Sequence, residues 1–198
     1  KRSRPRRDDK ILADWSGMAI TAVAEAGMAF GRKDWISAAT KAFGVTARAL
    51  TGGQGQFKDR LHHSALGESR GAPATLSGLA ELSRSALVLF EATGERSYLD
   101  KAVQWAKQAR VHLWDSKDDG DGGFFSTALD AGPALVRLKP VMDDPNTSGN
   151  AKMVEVLALL YYLNGDADFH DLALKTLQAF GGAAREPVLE VSGLFNAA

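Results

Sequence analysis

The chain has 198 residues, of which 45% are hydrophobic, and this is enough to bury the core of one domain. Lysine plus arginine and aspartate plus glutamate number 24 each, so the chain lacks the basic field that draws proteins onto nucleic acid or anionic membranes. The absence of cysteine excludes a disulfide framework, a redox pair and a thiolate metal site within these residues.

The chain opens on a basic run from Lys1 to Arg7, which we interpret as an exposed connector into the first helix rather than as a nucleic-acid or targeting patch. No signal-peptide pattern follows it. The apolar runs at 18–30 and 153–163 are too short and too interrupted to span a membrane. We therefore expect a cytoplasmic protein with neither a nucleic-acid nor a membrane partner.

One sequence pattern occurs three times, at intervals of 63 and 71 residues. Residues 31–39, 94–102 and 165–173 each contain a glycine, two residues of which at least one is charged, a helix-capping residue type, an aromatic residue and then an alanine. The glycine can adopt the left-handed conformation that ends one helix, and Asp34, Ser97 and Asp168 are predicted to cap the next. The pattern predicts three helical hairpins at about 11–50, 75–114 and 148–182.

The two helices of each predicted hairpin differ in polarity. The stretches before each repeat glycine, at 12–30, 76–90 and 150–163, are apolar most of the way round, whereas the following helices carry a single apolar stripe. Inner and outer helices that alternate in this way predict an all-α, partial (α/α)6 toroid. A closed toroid needs about twice this length, so we expect the remainder of the same protein or a second copy to cover the open edges.

Two glycine-rich connectors, 52–74 and 115–148, separate the hairpins. In the second connector, Gly122–Thr127 and Ala134–Lys139 predict a short β-hairpin. The acidic run that starts at Asp115 fails the calcium-loop pattern, because Lys117 and Ser126 occupy positions where carboxylates are needed. We interpret that run as a solvated turn, and since no phosphate-binding or metal motif occurs elsewhere, we expect no metal and no cofactor.

Four motifs occur in an order that resembles a known family. They are Asp8–Gly17, Leu89–Gly94, Gly122–Thr127, and Arg137–Pro140 together with Asp143–Asn150. They resemble the C-terminal region of the thioredoxin-domain family typified by spermatogenesis-associated protein 20, over nearly the whole chain. The resemblance implies an N-terminal thioredoxin-like domain followed by an (α/α)6 toroid similar to N-acylglucosamine 2-epimerases and six-hairpin glycosidases, with this chain as its last three hairpins.

The sequence also departs from the family pattern. Ser16 stands where the family usually has asparagine, Ser64–Leu66 replaces a run with tryptophan and arginine, and Leu76–Ala80 replaces a run with acidic and aromatic residues. Each change removes polar or aromatic groups from the inner rim. The departures leave open whether this chain is an active enzyme.

Toroid geometry predicts a site in the central funnel, at the rim where the inner helices start. Asp14 with Asp143 or Asp144 would supply the two carboxylates of glycoside hydrolysis. His63 would suit the proton transfer of an epimerase, since histidine titrates near neutral pH. The structural alternatives are a turn at the two adjacent aspartates and a surface histidine.

Four further residues are candidate ligand-binding groups. Trp15 and Phe124 would offer flat apolar faces to a sugar ring, and Ser148 and Asn150 would offer polar contacts. The structural alternatives are core packing for the aromatic residues and a helix cap for Ser148.

The expected function is that of a carbohydrate-enzyme-like domain, either epimerase-like or glycosidase-like, that binds a sugar or a similar small polar molecule. The alternative is a non-catalytic scaffold or protein-binding domain that serves the thioredoxin-like domain.

Overall fold

A computed structural model describes residues 2–5, 7–52, 55–116, 122–132, 135–182 and 188–198. Its main elements are three helical hairpins, formed by α1 (Ala13–Ala29) and α2 (Lys33–Leu50), α3 (Leu76–Thr93) and α4 (Arg96–Leu113), and α5 (Gly149–Asn164) and α6 (Ala167–Phe180). The prediction of three consecutive hairpins is confirmed.

The hairpin turns depend on the repeat glycines. Gly31, Gly94 and Gly165 have φ angles of +65°, +73° and +71°, the left-handed conformation that glycine adopts without steric cost. The predicted turn mechanism is therefore confirmed.

The predicted helix caps are wrong. Asp34, Ser97 and Asp168 lie inside the first turns of α2, α4 and α6, because each of these helices begins one residue earlier. Asp166 caps α6 by accepting a hydrogen bond from the Asp168 backbone N–H. The acidic side chain of Asp34 instead pairs with Arg32, 2.7 Å away.

The inner layer consists of α1, α3 and α5, with α3 packed between the other two. Nearly every face of α3 is buried, as its apolar sequence predicts, and Leu82 and Leu89 are completely inaccessible. Each outer helix buries one stripe, which on α4 includes Trp105. Phe43 of α2 contacts Tyr98 and Trp105 of α4, with ring centroids 5.3 and 5.8 Å apart, so the repeat aromatics join neighbouring outer helices.

A small antiparallel sheet joins two strands of the first connector to the residues before α1. Its strands, β1 (Ile11–Leu12), β2 (Ser64–Leu66) and β3 (Ser69–Arg70), are arranged in that order, with Ile11 opposite Ala65 and Ala65 opposite Arg70. The two-residue loop between β2 and β3 begins at Gly67, whose φ of +58° suits a tight hairpin. The sheet joins the start of α1 to the segment that leads into α3.

The β-hairpin predicted in the second connector is wrong in its placement. Ala134 lies outside the described residues, and no described residue of 122–127 or 135–139 belongs to a strand. Phe124 pairs instead with Trp114 in an isolated bridge, and the Ser126 N–H donates to the Leu138 carbonyl at 2.7 Å. The physical reason is burial: the Phe124 ring packs against Trp114, so the chain follows the end of α4 rather than a partner strand.

The interpretation of the acidic run as a turn falls mainly on residues 117–121, which lie outside the described residues, as do Lys1 and Arg6 of the basic run.

After α6, a 3-10 helix (Val188–Val191) and a short helix, α7 (Ser192–Ala197), return the chain to the inner layer, where α7 packs on α5. None of the helices in the described part of the chain is long and apolar enough to cross a membrane.

Candidate functional site

The inner helices α1, α3 and α5 surround a cleft of about 280 Å³ near their N-terminal ends. Asp14 and Met18 line it from α1, and Ser77 and Glu81 line it from α3. Each pair is four residues apart, which places both side chains on one face of a helix. The remaining lining residues come from the loop before α5 and its first residue: Pro140, Met142, Asp144, Asn146, Thr147, Ser148 and Gly149.

The most unusual group in the cleft is the carboxyl of Glu81. The residue is only 6% exposed, and its side chain receives no hydrogen bond from any described residue. Burial raises the pKa of this carboxyl to about 7; the positive charges of Lys152 and Arg84 oppose that shift, and the negative charges of Glu155 and Asp14 add to it. Glu81 can therefore hold or release a proton near neutral pH.

Two cations lie near Glu81, and both are engaged by other carboxylates. Arg84 contacts Glu25 of α1 at 2.7 Å and Glu155 of α5 at 2.5 Å, and Lys152 contacts Glu155 at 2.6 Å. Burial acts to raise the pKa of Glu155, but the hydrogen bonds and charges of Lys152 and Arg84 outweigh it and hold that pKa below its usual value. This network links the three inner helices and reduces the attraction of either cation for Glu81.

Three of the predicted site residues lie together in the cleft with Glu81. Asp14 is half-buried, and its carboxylate accepts a hydrogen bond from the Trp15 backbone N–H at 2.9 Å. Asp144 is exposed at the mouth of the cleft, with no side-chain hydrogen bond to a described residue. Ser148 also caps α5, because its hydroxyl accepts from the Ala151 N–H at 3.2 Å. The cleft therefore combines the three carboxyl groups of Asp14, Glu81 and Asp144 with neutral polar groups.

Asp143 and Asn150, although also predicted, are fully engaged in holding the rim together. Asp143 accepts hydrogen bonds from the backbone N–H groups of Ser148 and Gly193, both at 2.8 Å, and from the Ser192 hydroxyl at 3.1 Å. The Asn150 side chain is completely buried and bonds to both backbone groups of Phe124 and to the Pro140 carbonyl. In this structure the two side chains hold the rim together, and neither lines the cleft.

Three more predicted residues lie outside the cleft lining. His63 precedes β2, where its carbonyl accepts from the Ala13 N–H at 2.9 Å and thereby fixes the start of α1. Trp15 is 64% exposed beside Asp14 but does not line the cleft. Phe124 is completely buried against Trp114, which matches the structural alternative of core packing.

Glu81 is the functional candidate that the sequence analysis missed. A signal was present: it is the single acidic residue in the apolar stretch 76–90, which was correctly predicted to be an inner helix. A carboxyl group in an inner layer is costly unless it is paired or protonated. The position of Glu81 in an inner helix is therefore enough to identify it as a functional candidate. Within the described ranges, no cluster of histidine, aspartate and glutamate side chains is arranged to hold a metal ion.

Comparison with known proteins identifies relatives of the whole chain. It is 29% identical over 184 residues to spermatogenesis-associated protein 20 of Rattus norvegicus, and 27% identical over 190 residues to the human protein of that name. These alignments cover 90% and 93% of the chain. The chain is therefore similar in sequence to spermatogenesis-associated protein 20 over nearly its whole length. It spans about a quarter of the length of these relatives, 23% and 24% respectively. No protein-family model matches the sequence.

Solved structures with the same fold are carbohydrate enzymes. A GH76 α-mannanase of Bacteroides thetaiotaomicron superposes with a TM-score of 0.74 at 14% identity, over 97% of this chain and 52% of the mannanase. The cellobiose 2-epimerase of Spirochaeta thermophila superposes with a TM-score of 0.65 at 15% identity, over 86% of this chain and 43% of the epimerase. At these identities the likeness shows the fold alone, and it confirms the predicted partial (α/α)6 toroid.

Proposed function

We propose that this chain is the carbohydrate-enzyme-like toroid domain of a larger, thioredoxin-domain-containing protein, and that its cleft carries out acid–base chemistry on a sugar. One observation carries the catalytic part: the buried carboxyl of Glu81, free of hydrogen bonds from described residues, opens onto a cleft that it shares with Asp14 and Asp144. The toroid fold and the sequence similarity to spermatogenesis-associated protein 20 are the supporting context.

The chemistry that fits these groups is glycoside hydrolysis. It needs one protonated carboxyl to donate a proton to the leaving oxygen, and one carboxylate to attack the sugar or to activate a water molecule. Glu81 is the proton donor, since its pKa of about 7 keeps a proton available near neutral pH. Asp14 or Asp144 supplies the carboxylate, because both lie in the same cleft.

Epimerase-like chemistry is less well supported. It requires a base that removes a proton from carbon, and His63 was the histidine predicted for that role. Since His63 lies outside the residues that line the cleft, the carboxyl groups favour hydrolysis.

The experiment that tests the proposal measures hydrolysis of a panel of aryl glycosides and saturable binding of the corresponding sugars. We expect the Glu81→Gln variant to lose at least about 100-fold in turnover while it stays folded, because general acid catalysis typically contributes that much. Glu91→Gln, on the exposed face of the same helix, is the matched control and keeps the wild-type rate. Neither turnover nor saturable binding across the panel, or an unchanged rate in Glu81→Gln, would refute the proposal.

A second candidate is a non-catalytic scaffold that docks the thioredoxin-like domain, the rest of the ring or a second copy. One observation favours it: large apolar side chains along α1 and its C-terminal end are exposed, with Trp15 at 64%, Val23 at 40% and Phe30 at 74%. Sedimentation of the chain beside a Trp15→Ser/Phe30→Ser double variant tests self-association through this surface. A monomer in both cases, even at high concentration, contradicts the second-copy version.

A further inference from the structure

The cleft has a one-sided charge. Asp14, Glu81 and Asp144 contribute three carboxyl groups to its surface, and none of the described residues that line it is a lysine, an arginine or a histidine. Its other polar groups are neutral and come from Ser77, Asn146, Thr147 and Ser148. The cleft also holds a polar group that the fold leaves without a partner, because Glu81 is only 6% exposed and its side chain, which lines the cleft, receives no hydrogen bond from any described residue.

The nearest cations are paired with carboxylates that do not line the cleft. Arg84 and Lys152 are held by Glu25 and Glu155, so these four side chains carry two positive and two negative charges between them. Because this network is neutral as a set, the carboxylates of the cleft determine the sign of its potential. A ligand that carries a carboxylate or a phosphate is repelled, and a ligand that carries an ammonium group is attracted.

The remaining lining residues suit a sugar ring with such a group. Hydroxyl and amide groups from the loop before α5 match sugar hydroxyls, and Met18, Pro140 and Met142 offer apolar surface to the carbon face of a ring. A volume of about 280 Å³ accommodates a single sugar residue rather than a long chain.

We propose that the cleft binds an amino sugar through its protonated amine, which pairs with the carboxylates of Asp14 and Asp144, and that it rejects acidic sugars. This inference rests on the proposed function, because it names the class of sugar that the same site takes. The selectivity arises from charge and therefore weakens with salt, whereas hydrogen bonding to a neutral sugar does not.

The test compares four sugars of nearly the same shape by calorimetry at pH 6.5: glucosamine, N-acetylglucosamine, glucose and glucuronic acid. We expect glucosamine to bind at least about 10-fold more tightly than glucose or N-acetylglucosamine. We expect glucuronic acid to bind at least about 10-fold more weakly than glucose. Raising the salt from about 0.05 to 0.5 M weakens glucosamine binding several-fold and leaves glucose binding unchanged.

A double variant, Asp14→Asn/Asp144→Asn, localises the effect. It should bind glucosamine no better than glucose, whereas Asp171→Asn, an exposed change on α6, keeps the preference. The comparison of the four sugars on the unmodified protein stands even if the double variant folds poorly.

The outcomes separate this inference from the proposed function. Saturable binding of glucose with no preference for glucosamine, or equal binding of glucuronic acid, overturns the amino-sugar inference and leaves the proposed function standing. No binding of any of the four sugars, together with no binding across the glycoside panel, overturns both.

Discussion

Two sets of polar side chains near the N-terminal ends of the inner helices differ in how many hydrogen bonds they make. The anchor cluster, Asp143 and Asn150, makes six hydrogen bonds, three from each side chain. The cleft acid, Glu81, is 6% exposed, close to the completely buried Asn150 and less exposed than the half-buried Asp143, and its side chain makes no hydrogen bond with a described residue. Both are costly to bury, but only the anchor cluster is compensated within the fold.

This difference indicates which polar residues stabilise the protein and which are available for a ligand. A side chain whose donors and acceptors all have partners loses stability when it is removed. A buried carboxyl without partners costs stability while it is present, so it is expected to have a function that offsets that cost. Substitutions in the anchor cluster and at or beside Glu81 test this difference, and the largest effect is expected in the anchor cluster.

Replacing Asn150 by alanine removes three hydrogen bonds from a completely buried site. The change leaves both backbone groups of Phe124 and the Pro140 carbonyl without this partner. We expect the free energy of unfolding to fall by about 4 kcal/mol, since each unsatisfied buried group costs about 1–3 kcal/mol. Urea denaturation measures this loss.

Gln178→Ala is the matched control for Asn150, because it removes an exposed amide that has no side-chain hydrogen bond to a described residue. The free energy of unfolding should change by less than about 0.5 kcal/mol. An Asn150→Ala variant of wild-type stability that no longer binds sugar would place Asn150 in the ligand site instead.

Replacing Glu81 by glutamine changes how stability depends on pH. The carboxyl has a pKa of 4.5 as a model group and about 7 in the folded protein, so between these values the folded state binds more protons than the unfolded state. The free energy of unfolding of the wild type therefore decreases as pH rises through this window, by about 3 kcal/mol in total.

Glutamine does not titrate, so Glu81→Gln lacks this decrease. We expect the variant to gain about 3 kcal/mol relative to the wild type between pH 4.5 and pH 8, as measured by urea denaturation across that range. Glu91→Gln, an exposed change on the same helix, should follow the wild-type curve. Parallel curves for the wild type and Glu81→Gln would show that Glu81 titrates alike in the folded and unfolded states.

Gly17 keeps α1 close to the backbone of Glu81. A Cβ atom at this position would lie 2.6 Å from the Glu81 carbonyl carbon and 2.8 Å from its oxygen, both backbone atoms that cannot move aside independently. Gly17→Ala should therefore lower the free energy of unfolding by about 2 kcal/mol, as expected for overpacking, and weaken sugar binding as α1 shifts.

Gly44 provides the opposite case in the middle of α2. An added Cβ would meet only the flexible end of Arg48, at 3.3 Å. Alanine favours a helix over glycine, so Gly44→Ala should raise the free energy of unfolding by about 0.5–1 kcal/mol. A shift of the same sign in both variants would contradict the close approach of α1 to α3.

Local signals in the sequence were sufficient for most of the fold. The hairpin turns follow from the repeat glycines, and the order of inner and outer helices follows from apolar residues spread round a helix or confined to a stripe. The helix caps and the site of the β-hairpin were wrong because both depend on neighbours. The chain around Phe124 is held by Trp114, and the first residues of each outer helix are positioned by the preceding turn.

The candidate site was predicted only in part. Asp14, Asp144 and Ser148 were found because they precede or begin inner helices, where the rim of a toroid lies. Sequence reasoning could not separate Asp143 from Asp144, since only the folded chain brings Gly193 and Ser192 onto the first of them. Glu81 was not predicted because it lies about a turn and a half inside an apolar helix, whereas the predicted site residues lie where the inner helices start.

The proposed acid–base chemistry depends most directly on the protonation of Glu81. A carbon-13 NMR titration of glutamate side-chain carboxyls, with the Glu81 signal assigned by its loss in Glu81→Gln, measures this property. We expect a titration midpoint of about 7, well above the value of 4.5 for a model glutamate carboxyl, and a further change when a sugar occupies the cleft. A midpoint at 4.5 that no sugar alters would contradict the assignment of Glu81 as the proton-carrying group of the site.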